Sequence, residues 1–105
     1  MMPSDPIISH KVSKRQLRET WNDPGFQAEL LRRCTQRILV RDELAPDDAE
    51  QQDGALSQVY DLWDNDAQQY LGTFHRYLNP DGSIGASGKP DPIWLLVGDV
   101  YHYDP

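Results

Sequence analysis

The chain has 105 residues and a net charge of −7, enough for one domain with a modest core and hardly for two. One cysteine, Cys34, excludes an intrachain disulfide and a thiolate zinc site. The opening MMPSDPIISHKV lacks the basic and apolar regions of a signal peptide, and the longest apolar run, Ile93 to Val97, is too short to cross a bilayer, so the cytoplasm is the expected location.

Charge is unevenly spread. Residues 1–41 carry eight Lys/Arg against four acids, and residues 42–105 carry two against thirteen. This balance disfavours binding to bulk nucleic acid and anionic membranes, and suits a basic partner. Three Trp, five Tyr and two Phe provide core material that a disordered chain lacks.

Residues 1–12 read as an irregular arm with Pro3 and Pro6. Ser13 and Gln16 then form a capping-box pair, with Val12 and Leu17 placed as a hydrophobic staple. This predicts helix one over Lys14 to Trp21. Asp23 and Pro24 stop it and cap the next helix. Phe26, Leu30, Cys34 and Ile38 recur every four residues, with Leu31 widening the stripe. That spacing predicts a second helix continuing to about residue 41. Its flank carries Arg33, Arg37 and Arg41, with Glu29 and Arg33 as a helical ion pair. On this reading Cys34 is a buried, inert thiol, and the arginine row is a solvated face or an internal partner for the acids that follow.

Residues 42–54 hold six acids and no aromatic residue, and read as a mobile acidic connector with one helical turn after Pro46. Residues 56–71 match helical spacing and also a hairpin. Val59, Tyr60, Trp63, Thr73 and Phe74 favour strands, and Gly72 sits badly inside a helix, so the hairpin is preferred. Asn79-Pro80-Asp81-Gly82 is a type I turn signal. It opens a Gly/Pro-rich loop over residues 79–92. Gly98-Asp99 then joins two short strands. The expected fold is α+β: two N-terminal helices packed on a four-stranded antiparallel sheet made of two hairpins, in a single domain over residues 1–105.

Several chemistries fail on their residues. SIGASGKP lacks a Walker pattern, because Ser83 replaces the first Gly and Pro90 replaces the magnesium-binding hydroxyl. Asp61, Asp64 and Asp66 lack the Gly and terminal Glu of a calcium loop. No cofactor or metal is expected. One catalytic alternative is a metal-independent ribonuclease-like site, with His75 and His102 as acid and base and Arg76 and Lys89 as phosphate clamp.

The preferred reading is a small non-enzymatic protein-binding module of inhibitor, antitoxin or immunity type. Its candidate contacts are Tyr77, Asp81, Ser87, Lys89, Trp94, Tyr101 and Tyr103, around the Gly/Pro-rich loop and its aromatic flanks. At least two of Trp63, Tyr77, Trp94, Tyr101 and Tyr103 are expected to be buried. Homo-oligomerisation through the edge of the last hairpin is a third possibility.

Overall fold

A computed structural model describes residues 9–85 and 88–104. Helix α1 spans Lys14–Asn22 and helix α2 spans Pro24–Arg33. The capping box is present in both directions: the Gln16 amide donates to Ser13 Oγ (3.1 Å), and the Ser13 amide donates to Gln16 Oε1 (2.9 Å). These bonds satisfy donors that a helix start would otherwise leave without partners. Asp23 caps α2 through the Phe26 amide at 2.9 Å, with Pro24 in its first turn.

The fold is α+β, but its sheet is six-stranded and mixed, not four-stranded and antiparallel. The strands are β1 (Ser9–Lys11), β2 (Gln36–Leu44), β3 (Leu56–Asp64), β4 (Gln69–Leu78), β5 (Asp91–Val97) and β6 (Val100–Tyr103). Their spatial order is β1-β6-β5-β4-β3-β2. Strands β2 to β6 form an antiparallel meander, and β1 adds to β6 in parallel.

The two extra strands come from segments read otherwise in the sequence. β1 lies in the expected N-terminal arm. β2 takes up what was expected to be the end of helix two and the start of the connector. Helix α2 stops at Arg33 because Thr35 diverts the chain into the sheet. The Thr35 amide donates to the Trp63 carbonyl at 2.8 Å, its hydroxyl donates to the same carbonyl at 3.1 Å, and the Asn65 amide donates to that hydroxyl at 2.8 Å. The β-branched Thr35, Ile38 and Val40 favour this outcome. The arginine row is therefore not one helical face. Arg33 pairs with Asp64 (3.1 Å), Arg41 with Glu43 (3.5 Å), and Glu29 pairs with Arg32 instead of Arg33.

The hairpin reading of residues 56–78 holds. Asp64 shapes its turn by accepting from the Asp66 and Ala67 amides at 3.0 and 3.2 Å, and Gln68 adopts a left-handed φ of 51°. The Asn79–Gly82 turn closes with a 2.9 Å bond from the Gly82 amide to the Asn79 carbonyl. It is not followed directly by open loop. Ile84 bridges Leu78, and the Gly85 amide donates to the Tyr77 carbonyl at 2.8 Å. The β5–β6 turn uses Gly98 at φ 63°.

The core joins both helices to the sheet. Helix α1 packs on β5 and β6, and α2 packs on α1. Leu17, Trp21 and Leu30 meet Tyr60, Leu62, Leu71, Phe74, Leu95, Leu96 and Tyr101. Trp21 and Phe74 lie with ring centroids 4.5 Å apart. Gly72 makes this packing possible. A Cβ there would come within 3.1 Å of both the Phe74 ring and the Trp94 carbonyl, so a side chain would force the strands or the ring to shift.

Candidate functional site

The four residues of the catalytic alternative lie on different parts of the sheet. His75 is on β4 and His102 on β6, with β5 between them. Strand spacing and register put them about 15 Å apart. Nε2 of His75 lies 2.9 Å from Ser57 Oγ, and its ring meets Tyr77 edge-on at 4.6 Å. Burial lowers its pKa, the nearby Arg41 cation lowers it further, and Asp91 opposes them. His102 instead faces His10 across the β1–β6 pair, with ring centroids 5.3 Å apart. Burial and the His10 charge lower its pKa. Arg76 follows His75 in the strand and so points to the opposite face, where it lies 5.1 Å over the Tyr60 ring. Lys89 lines a groove on the Tyr60 side.

The candidate contact residues are also dispersed. Tyr77 is half-buried beside His75. Asp81 is exposed, and its carboxylate accepts from the Ser83 hydroxyl (2.6 Å) and amide (2.9 Å), bonds that hold its pKa below the usual carboxylate range. Ser87 lies outside the described residues. Trp94 meets Tyr101 edge-on at 4.9 Å, and the Tyr103 carbonyl accepts from the Val12 amide at 2.8 Å. Of Trp63, Tyr77, Trp94, Tyr101 and Tyr103 only Tyr101 is buried; the other four are half-buried. The expectation of two buried aromatics fails because Trp63 and Tyr77 alternate with the helix-side Leu62 and Arg76 and so lie on the sheet face opposite the helices. The outer edge of the last hairpin is not open either, since β1 pairs with β6. The long exposed edge belongs to β2.

Two surfaces do assemble. The first is an acidic tip. The β2–β3 connection carries the expected helical turn after Pro46, as a 3-10 turn over Asp47–Ala49, and a 2.9 Å bond from the Ala45 amide to the Ala55 carbonyl closes it into an arch. The β4–β5 turn packs against it. A Cβ on Gly54 would sit 3.2 Å from the Pro80 ring, and one on Gly85 would collide with the Gln51 side chain. Asp47, Asp48, Glu50, Asp53 and Asp81 are all exposed on these two loops. The sequence carries no Lys or Arg between Arg41 and Arg76, nor between Arg76 and Lys89.

The second surface is a groove of about 390 Å³ on the helix side of the sheet. Residues opposite one another in the ladder share a face. Leu39, Tyr60 and Phe74 thus form one row, and Asp42, Gln58 and Arg76 the next. Trp21, Tyr60, Leu62 and Phe74 floor the groove; Leu31 of α2 and Pro90 stand on its sides. Arg37 lies 4.8 Å over the Tyr60 ring from β2. Gln58 links the next row, accepting from Arg76 at 2.8 Å and donating to Asp42 at 3.0 Å. Burial raises the Tyr60 phenol pKa, and Arg37 and Arg76 oppose that rise.

The sequence reading missed Arg37 and Tyr60 as partners. The signal was indirect: they meet only through the β2–β3 register, which required β2 to be seen as a strand. Among the described residues, no group of three or more His, Cys, Asp or Glu is placed to hold a metal ion. No described helix is long and apolar enough to cross a membrane. No known protein family, no curated protein and no solved structure matches the chain.

Proposed function

We propose that this chain is a small acidic protein-binding module, of the inhibitor, antitoxin or immunity type, which docks a basic partner through the acidic tip. The supporting observation is that its five exposed carboxylates sit on two loops that pack on each other through side chains, each loop closed by backbone hydrogen bonds of its own. A charged surface held in place before binding loses less entropy on docking than a mobile one. Like-signed carboxylates also steer a basic partner during encounter and repel nucleic acid.

The test compares the tagged wild-type chain with an Asp47→Asn, Asp48→Asn, Asp53→Asn variant, by capture from native lysate at low and high salt. The reading expects one stoichiometric basic protein, released by salt and retained at least tenfold less by the variant. A partner held equally by both chains, or RNA captured without any protein, overturns it.

A further inference from the structure

Away from the tip and the groove, the β1–β6 pairing brings together two histidines from opposite ends of the chain. His10 and His102 stand opposite one another in the parallel register, with ring centroids 5.3 Å apart and planes tilted by 59°. We infer that this pair is a binding site for a divalent transition-metal ion of the imidazole-preferring kind, zinc first, which clips β1 to the sheet. Imidazole is the commonest protein ligand for such ions, and zinc, copper and nickel all accept it.

The spacing of the rings fits a shared ion. Zinc lies about 2.0–2.1 Å from an imidazole nitrogen, and so about 3.2 Å from the ring centroid. Two rings held at the tetrahedral angle then have centroids about 5.2 Å apart, against the 5.3 Å found here. The ring nitrogens are also available. Among the described residues neither ring has a hydrogen-bond partner, whereas Nε2 of His75 is taken up by Ser57 at 2.9 Å. His10 is exposed and His102 half-buried, so an ion reaches the pair from solvent. The register neighbours do not oppose a cation: Leu95 stands across from His102 on β5, and Lys11 follows His10 in its strand and so points to the other face. Burial and the His10 charge lower the His102 pKa, which favours the neutral ring that a metal requires. Two protein ligands leave two positions of a tetrahedral ion to water, so the site is a clip of modest affinity and not a closed structural centre. An ion that needs both rings binds only when β1 is docked, and its binding free energy is added to that contact.

The experiment is an NMR titration of the full, metal-free chain with zinc chloride at about pH 7.5, above the ordinary imidazole pKa. It follows the histidine ring signals and the amide exchange of β1, with magnesium chloride as control. The inference expects the His10 and His102 rings to shift together and saturably while the His75 ring stays in place, and amide exchange in β1 to slow at least tenfold at saturation. Magnesium, which prefers oxygen ligands, moves neither ring. His10→Gln and His102→Gln each weaken zinc at the remaining ring at least tenfold and remove the slowing, while the core signals keep their dispersion. His75→Gln changes neither. Any one of three results overturns the inference: no saturable shift of the two rings, equal shifts with magnesium, or undiminished zinc binding by the remaining ring in either the His10 or the His102 variant.

Discussion

Strands β4 and β2 belong to one sheet and are nearly equal in length, at ten and nine residues, yet they are held by different forces. β4 buries Leu71, Gly72, Thr73 and Phe74 in succession. β2 has one half-buried residue, Ile38, and the rest of it is exposed, including Leu39, Val40 and Leu44. β4 is fixed by burial of apolar surface, which scales with the area taken from water. β2 is fixed by its ladder with β3, by Thr35 at its start, and by cross-strand contacts such as Arg37 with Tyr60. Its free edge also carries a bulge at Val40 and a run of charges, Arg41-Asp42-Glu43. Both devices discourage a further strand from adding there. A long strand can therefore sit at the rim of this sheet with little core of its own.

The sharpest way to break this comparison is a pair of truncations. Phe74→Ala should cost about 3–5 kcal/mol in urea denaturation, as a fully buried aromatic does. Leu44→Ala should stay within about 0.5 kcal/mol, the usual range for a surface site. Similar costs at the two sites would show that β2 contributes to the core after all.

Asp64 links the two regions, since it shapes the β3–β4 turn and pairs with Arg33. Asp64→Asn should cost about 1.5–3 kcal/mol, the range for hydrogen bonds to a charged group. Burial acts to raise the Asp64 pKa, but the Ala67 amide, Arg33 and the Asp66 amide outweigh it and hold the pKa below the ordinary value. The folded chain thus binds this proton less readily than the unfolded one. The resulting stability is present above the ordinary carboxylate range and is lost as pH falls through the lowered value. An acid unfolding profile of Asp64→Asn should be flatter there; an unchanged profile would remove Asp64 from the account.

Ser13→Ala should cost about 1 kcal/mol, the usual loss for an N-cap. The loss should appear in thermal melts of the whole domain, because α1 packs on β5 and β6. The smallest expected effect is at the β1 rim. The lowered His102 pKa means that its stabilising contribution is complete above about pH 6.5, the ordinary imidazole value, and declines as pH falls below it. Amide exchange in β1 should speed up on that descent, and His102→Gln should blunt the change. Equal pH dependence in both chains would show that the His10–His102 contact plays no part.

What was legible in the sequence was local. The Ser13–Gln16 box, the Asp23-Pro24 junction, the 56–78 hairpin, the Asn79–Gly82 turn and the Gly98 turn all rest on interactions within a few residues. What was not legible depended on distant partners. Ile38 continues the four-residue spacing of Phe26, Leu30 and Cys34, so the helical pattern overran a strand that is selected by the Trp63 carbonyl. β1 has three exposed residues and no pattern of its own. The acids of the tip were visible as composition, but their packing into one surface was not. The groove was hidden for the same reason as β2, because Arg37 reaches Tyr60 only across the ladder.

The parallel pairing of β1 with β6 also bears on the order of folding. It joins Ser9 to Tyr101 and Lys11 to Tyr103, so almost the whole described chain lies in the loop that this pairing closes. Loop closure on that scale carries a large entropic cost, and long-range parallel contacts form slowly. The meander from β2 to β6 needs only neighbouring hairpins, and can assemble while β1 is still unattached. The three-residue strand is then the last piece to dock, and the slowest folding phase should report on its arrival.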